Sequence, residues 1–105
     1  FHNRHTMIGD DTKFDALIHF AHSAQIGERC LVAAQAMIAG SATIGDDVWI
    51  GPSASVSSGV TIGDKAFITI GSVVVKNVPP GGKVTGNFAI PHDKFISNLK
   101  KSASE

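Results

Sequence analysis

The sequence predicts an all-β fold: a parallel β-helix of about four triangular coils, followed by a short C-terminal α-helix. Three observations predict it. A bulky apolar residue recurs at every sixth position without a slip from Ile8 to Val74. The tripeptide Ile-Gly-acid recurs every 18 residues. The repeat then runs into a Pro-Pro pair, beyond which an amphipathic segment begins.

The six-residue step meets Ile8, Phe14, Phe20, Ile26, Val32, Ile38, Ile44, Ile50, Val56, Ile62, Ile68 and Val74. Four residues after each of these stands a small or aliphatic residue, as at Ala24, Cys30, Ala36, Ala42, Val48 and Ala54. An amphipathic helix needs apolar residues every three or four positions, and a half-buried strand alternates with period two. Neither pattern is present. Period six nested in 18 fits three short strands and three corners per coil, with each large residue filling the inside. Coils stacked as parallel strands lie about 4.8 Å apart, so four reach roughly 19 Å.

Pro79-Pro80 cannot continue a hydrogen-bonded ladder, so the coil is expected to stop there. This divides the chain into a repeat domain, residues 1–80, and a C-terminal loop and helix, residues 81–105. PHDKFISNLKK, residues 91–101, predicts the helix. Pro91 suits a first helical position. Asp93 near one end and Lys100 and Lys101 near the other favour the helix dipole. Phe95, Ile96 and Leu99 form its apolar stripe, and Ser102 to Glu105 are expected to fray.

Length and charge bound the function. The chain has 105 residues, 9 basic and 9 acidic side chains, and no net formal charge. That excludes the basic footprint of a nucleic-acid binder. No apolar run approaches the roughly 20 residues of a transmembrane helix. The single cysteine, Cys30, excludes an internal disulfide framework and is compatible with a reducing compartment. It falls at an inward slot and reads as core.

The residue before each bulky one points outward. On the first face these are Lys13, Leu31, Trp49 and Phe67; on the second His19, Met37, Ser55 and Val73; on the third Gln25, Thr43, Thr61 and Pro79. The first face is apolar, and soluble proteins seldom leave such a ladder in water. A partner subunit, an acyl chain or the folded-back C-terminal segment is expected to cover it.

His22, in FAHSAQ, falls at a corner. The same slot in successive coils holds Gly40, Ser58 and Lys76, so the coil itself requires no histidine there. By itself, such a histidine reads as solvated. The sequence around it is more specific. FAHSAQIG is followed one coil later by AAQAMIAGS, and VPPGGKVTGNFAIPHDKFI stands after the repeat. These stretches resemble the hexapeptide-repeat acyltransferases, and among them the UDP-3-O-acylglucosamine N-acyltransferases of lipid A biosynthesis, over roughly Ile8 to Phe95.

The resemblance implies a left-handed coil, which spacing cannot give, since the usual crossover preference is right-handed. It implies a homotrimer with its site between neighbouring coils, in the bacterial cytoplasm. It implies acyl transfer from an acyl carrier protein thioester, or acyl-CoA, to the amine of a UDP-amino sugar, with no bound cofactor and no metal. It assigns His22 as general base and Gly40 as oxyanion donor. His19, Gln35 and Ser41 are the substrate-binding candidates. An imidazole titrates near neutral pH and can take the amine's proton. Backbone N–H groups can stabilise the tetrahedral oxyanion.

The pattern also departs from the family. Gly59 stands where a second histidine is common, Ser23 replaces an asparagine, and HDKF replaces HREW. The family's nucleotide-gripping N-terminal domain has no counterpart, so the chain is expected to carry the catalytic coils alone. Of the other histidines, His2 and His5 read as solvated and His92 as the helix start. Asp15 is a candidate to orient an imidazole on a neighbouring chain. The competing readings are an acetyl-CoA-dependent N-acetyltransferase of a nucleotide-linked amino sugar, a non-catalytic trimeric scaffold, and a zinc enzyme of the γ-carbonic-anhydrase type. The last lacks a third histidine at a matching corner, and zinc needs about three protein ligands.

Overall fold

In the computed structural model, which describes residues 6–86 and 89–103, the six-residue period is the period of the backbone. The strands have two residues each: β1 (Met7–Ile8), β2 (Lys13–Phe14), β3 (His19–Phe20), β4 (Gln25–Ile26), β5 (Leu31–Val32), β6 (Met37–Ile38) and β7 (Thr43–Ile44). They continue as β8 (Trp49–Ile50), β9 (Ser55–Val56), β10 (Thr61–Ile62), β11 (Phe67–Ile68), β12 (Val73–Val74) and β13 (Lys83–Val84), followed by helix α1 (His92–Ala103). The strands build three parallel sheets. The first face is β2-β5-β8-β11-β13, the second β3-β6-β9-β12, and the third β1-β4-β7-β10.

Each strand through β12 pairs with the one a full coil away, as in Leu31 with Trp49 and His19 with Met37. The register puts like residues over like. Ile26, Ile44 and Ile62 stack inside the third face, while Val32, Ile50 and Ile68 stack inside the first. All six are buried. The small residues at the fifth place, from Ala24 to Ala66, are buried beside them. Each fully buried aliphatic side chain contributes roughly 1.5–3 kcal/mol. The first coil lies at the open end of the stack, so Ile8 stays 53% exposed although it keeps the repeat.

Corners are β-turns. The N–H of the fifth residue of a hexad returns to the carbonyl of the second, as from Ala24 to Ala21 at 3.2 Å. The fourth residue has a positive φ, as a type II turn requires. Nine of these are not glycine, among them Leu17, Arg29 and Gln35. The stack holds them: the fourth residue's N–H reaches the third residue's carbonyl one coil earlier, as from Asp47 to Glu28 at 2.8 Å. The second place is small because the next coil's turn lies on it. A Cβ on Gly45 would stand 2.9 Å from the Asp64 nitrogen.

Pairing continues past Pro79-Pro80, against the expectation that it would stop. The corner before them is two residues shorter. Val78 bridges Ile62, and Lys83 pairs with Phe67, so the coil step falls from 18 residues to 16. The prolines therefore occupy a turn, not a strand. Gly82 N–H donates to Pro79 carbonyl at 2.9 Å, with Pro80 and Gly81 at the turn's centre and Gly81 at φ 72°. Proline followed by glycine suits a type II turn. Pro79 consequently leaves the third-face ladder, and Asn77 lies beside Thr61, its Oδ1 accepting the Thr61 N–H at 2.8 Å.

Helix α1 starts one residue after Pro91, whose carbonyl accepts from Phe95 N–H at 3.0 Å. Pro91 thus stands in the flanking place rather than the first helical one. The helix runs through Ala103, beyond the expected fray at Ser102; residues 104 and 105 lie outside the described residues. None of its residues is buried, and Phe95 and Leu99 remain exposed.

Ile50→Ala should lower the unfolding free energy by about 2–5 kcal/mol in denaturant melts, because the cavity lies in a closed core. Gly45→Ala should also destabilise the fold, because its methyl group collides with the next coil's backbone.

Candidate active site

His22 sits at the corner where the second face turns into the third. β3 delivers it and β4 carries the chain away. Its neighbours are held tightly. Ala21 N–H reaches Ile38 carbonyl at 2.9 Å, Ser23 N–H reaches Thr6 Oγ1 at 3.1 Å, and Ser23 is 7% exposed. The imidazole itself is exposed. One coil along is Gly40, on which a Cβ would lie 3.3 Å from the His22 carbonyl oxygen. Gly40 carbonyl accepts Gly59 N–H at 3.2 Å and the Ser58 hydroxyl at 2.8 Å. Its N–H has no acceptor among the described residues.

The other candidates divide between corners. His19 is exposed on β3, three residues before His22, and flanks the same corner. Ser41 follows Gly40 in the turn, half-buried at φ 62°. Gln35 belongs to the corner between the first and second faces, exposed at φ 63°, and its Oε1 meets Ser53 Oγ at 3.5 Å. The structure therefore groups His19, His22, Gly40 and Ser41 and sets Gln35 apart on the far side of the second face. Ser58 joins the group through its bond to Gly40. Its place in the repeat column was visible, but the direction of its hydroxyl was not. Asp15 is tied to its own turn, accepting Ala16 N–H at 2.7 Å. His2 and His5 lie outside the described residues.

The third corner contrasts with this one. Asp46 Oδ1 accepts Glu28 N–H and Asp64 Oδ1 accepts Asp46 N–H, each at 2.8 Å. Arg29 binds Asp47 through two nitrogens at 2.9 and 3.0 Å. This pairing holds the Asp47 carboxyl below its usual range. Here carboxylates satisfy the stack, so the corner is structural.

On the first face, Trp49 and Phe67 stack with ring centres 5.8 Å apart, and Lys83 Nζ lies 5.1 Å over the Phe67 ring. Leu31 and Phe67 are 46% and 40% exposed, so α1 does not cover this ladder. A concavity of about 330 Å³ runs beside it, lined by Lys13, Phe14, Leu31 and Trp49. Another, of about 410 Å³, lies at the C-terminal end of the stack between Val73, Lys76, Val84 and Thr85. Neither includes His22. Among the described residues, no three His, Cys, Asp or Glu side chains converge as a metal site, and no helix is long and apolar enough to cross a membrane.

Cys30 is fully buried. Its Sγ donates to Gly45 carbonyl at 3.1 Å and accepts Val48 N–H at 3.4 Å. Burial pushes the thiol's pKa up. A thiol kept protonated and enclosed is a core group.

The bacterial transferase hexapeptide family (six repeats) matches residues 5–40 and 41–76. A UDP-3-O-acylglucosamine N-acyltransferase of Methylobacterium nodulans is 40% identical over 105 residues, which cover 97% of this chain and 30% of that protein. The chain thus spans under a third of this relative. Among solved structures, a serine acetyltransferase of Neisseria gonorrhoeae in complex with serine has a TM-score of 0.75 at 31% identity, covering 82% of this chain and 39% of that one. Soybean serine acetyltransferase complexed with serine gives 0.72 at 28% identity, covering 81% and 39%. The likeness extends to the left-handed β-helix.

In the folded protein at neutral pH, a thiol reagent should leave Cys30 unmodified, and denaturant should release one reactive thiol per chain. Rapid labelling of the native state would contradict the packing described.

Proposed function

Because this chain belongs to the bacterial transferase hexapeptide family, we propose that it carries the catalytic coils of an acyltransferase, with His22 as general base and Gly40 N–H as oxyanion donor. The observation that carries the reading is the pairing of an exposed imidazole with an uncapped backbone donor one coil away. In the reaction, the acceptor's amine nitrogen attacks the carbonyl carbon of a thioester while the His22 imidazole takes its proton. The carbonyl oxygen gains negative charge and receives the Gly40 N–H bond. As the intermediate collapses, the C–S bond breaks. The imidazolium returns the proton to the leaving sulfur, and the products are an amide and a thiol. No acyl-enzyme forms, in keeping with the burial of Cys30.

The acceptor is the amine of a UDP-linked acylglucosamine in the lipid A pathway, and the donor is an acyl carrier protein thioester. The 40% identical relative's name and the FAHSAQIG and AAQAMIAGS stretches support this choice. Acetyl-CoA as donor is the second reading, favoured by the likeness to serine acetyltransferases. His19 and Ser41 line the acceptor side of the corner, and Gln35 reaches the substrate from a neighbouring subunit of the trimer. The enzyme works as a homotrimer in the bacterial cytoplasm, with Leu31, Trp49 and Phe67 buried against a second copy. The functional unit is the repeat domain of residues 1–80, and residues 81–105 are appended to it, with β13 still pairing with β11.

His22→Ala should lower kcat for transfer to a UDP-amino sugar by about 10²–10⁴-fold, the usual worth of a general base, with the fold intact by circular dichroism. A panel of acyl carrier protein and CoA thioesters separates the two donors. An unchanged rate in the variant would rule out His22 as base, and a folded wild-type trimer inactive with every donor would support a scaffold.

A further inference from the structure

A side chain at the acidic corner closes backbone donors that the His22 corner leaves open. At the acidic corner, the N–H of the third hexad residue is capped by the aspartate one coil later: Glu28 by Asp46, and Asp46 by Asp64. Gly40 occupies the same place in its hexad, and 18 residues later stands Ser58. The serine hydroxyl donates to the Gly40 carbonyl instead, at 2.8 Å. Gly59 N–H donates to the same oxygen at 3.2 Å. A carbonyl oxygen has two lone pairs, and both are engaged here. Two donors on one oxygen hold the Gly40–Ser41 peptide, while the N–H on the other side of Gly40 stays uncapped.

We propose that Ser58 is a positioning residue for acyl transfer, orienting Gly40 through its carbonyl and keeping the Gly40 N–H open as a donor. This rests on the reading of Gly40 as the oxyanion donor. Aspartate or asparagine at this position would do what Asp46 and Asp64 do, accepting the N–H and withdrawing it from the substrate. Serine is one atom shorter and spends its hydrogen on the carbonyl. The column of third-place residues thus carries two roles in one fold: carboxylates that close the backbone, and a hydroxyl that leaves it open.

The test uses the full chain, with amide hydrogen exchange by NMR alongside steady-state kinetics with an acyl thioester and an amino-sugar acceptor. In the wild type, the Gly40 amide should exchange as an unprotected group, whereas the Glu28 and Asp46 amides are protected. Ser58→Asp and Ser58→Asn should both protect Gly40 and lower kcat by about 10²–10³-fold, the usual effect of losing one oxyanion donor, with KM nearly unchanged. Ser58→Ala should cost roughly two- to tenfold, the worth of one neutral hydrogen bond, and Ser58→Thr should restore the rate. A Gly40 amide already protected in the wild type overturns the proposal. So does an unchanged kcat in variants whose Gly40 amide has become protected. A loss confined to Ser58→Asp assigns the effect to charge and overturns it as well, and Ser58→Asn stands in if the aspartate variant does not fold. An inactive wild type refutes the catalytic reading itself. An active wild type whose Gly40 amide is unaltered by Ser58→Asn refutes the Ser58 assignment alone.

Discussion

Everything in this protein hangs on the hydrogen bonds that run from each coil to the next with an 18-residue register. Two-residue strands have no stability of their own. They persist because each N–H and carbonyl finds its partner one coil away and because the same register stacks aliphatic side chains inside. The constraint reaches into the corners. Among the described residues, nine that are not glycine adopt a positive φ that an isolated chain would avoid. At Arg29, Gln35, Asp47, Ser53 and Lys65 the third residue's carbonyl in the coil before captures the fourth residue's N–H, and Ser23 N–H is held by Thr6 Oγ1 instead. The glycines at the second place of the acidic corner follow from the same cause, since the stacked turns there leave no room for a side chain.

Because the backbone repeats, chemical differences between corners come from side chains alone. Asp46, Asp64, Arg29 and Asp47 turn one corner into a closed lattice of charge-assisted bonds. The corner between the first and second faces carries Leu17, Gln35 and Ser53, with the Ser53 hydroxyl donating to Gln35 Oε1. At the remaining corner, an imidazole, a glycine and a serine stand in one column, so an open backbone donor at Gly40 lies beside a histidine. Gly40 is only half-buried, so a substrate can reach that donor. An open N–H beside a histidine on a rigid scaffold is therefore a chemical resource, and the rigidity that holds it is the stack's.

The coil's end shows how a local rule yields to register. Proline is barred from the middle of a ladder, and a Pro-Pro pair reads as a stop. Shortening the preceding corner by two residues moves both prolines into a turn where their fixed φ is an advantage. Lys83 and Val84 then rejoin the first face, and Lys83 closes the aromatic ladder over Phe67. The six-residue step from Val74 would fall on Pro80 and Gly86, and Val78 and Val84 take the inward places two residues early.

The linear pattern set the period, the inward residues and the sheet of each outward residue from Lys13 to Val73. These depend only on spacing, and spacing survives in a linear string. It also marked the FAHSAQIG corner as unusual, since the repeat demands no histidine there. Tertiary structure alone decided the register slip at Asn77, the separation of Gln35 from His22, the exposure of helix α1 and the direction of the Ser58 hydroxyl. Each depends on which backbone atoms meet across coils, and residue type does not specify that. Handedness belongs to the same class: a six-residue period is identical for a left-handed and a right-handed coil, and only the path of the backbone through space separates them.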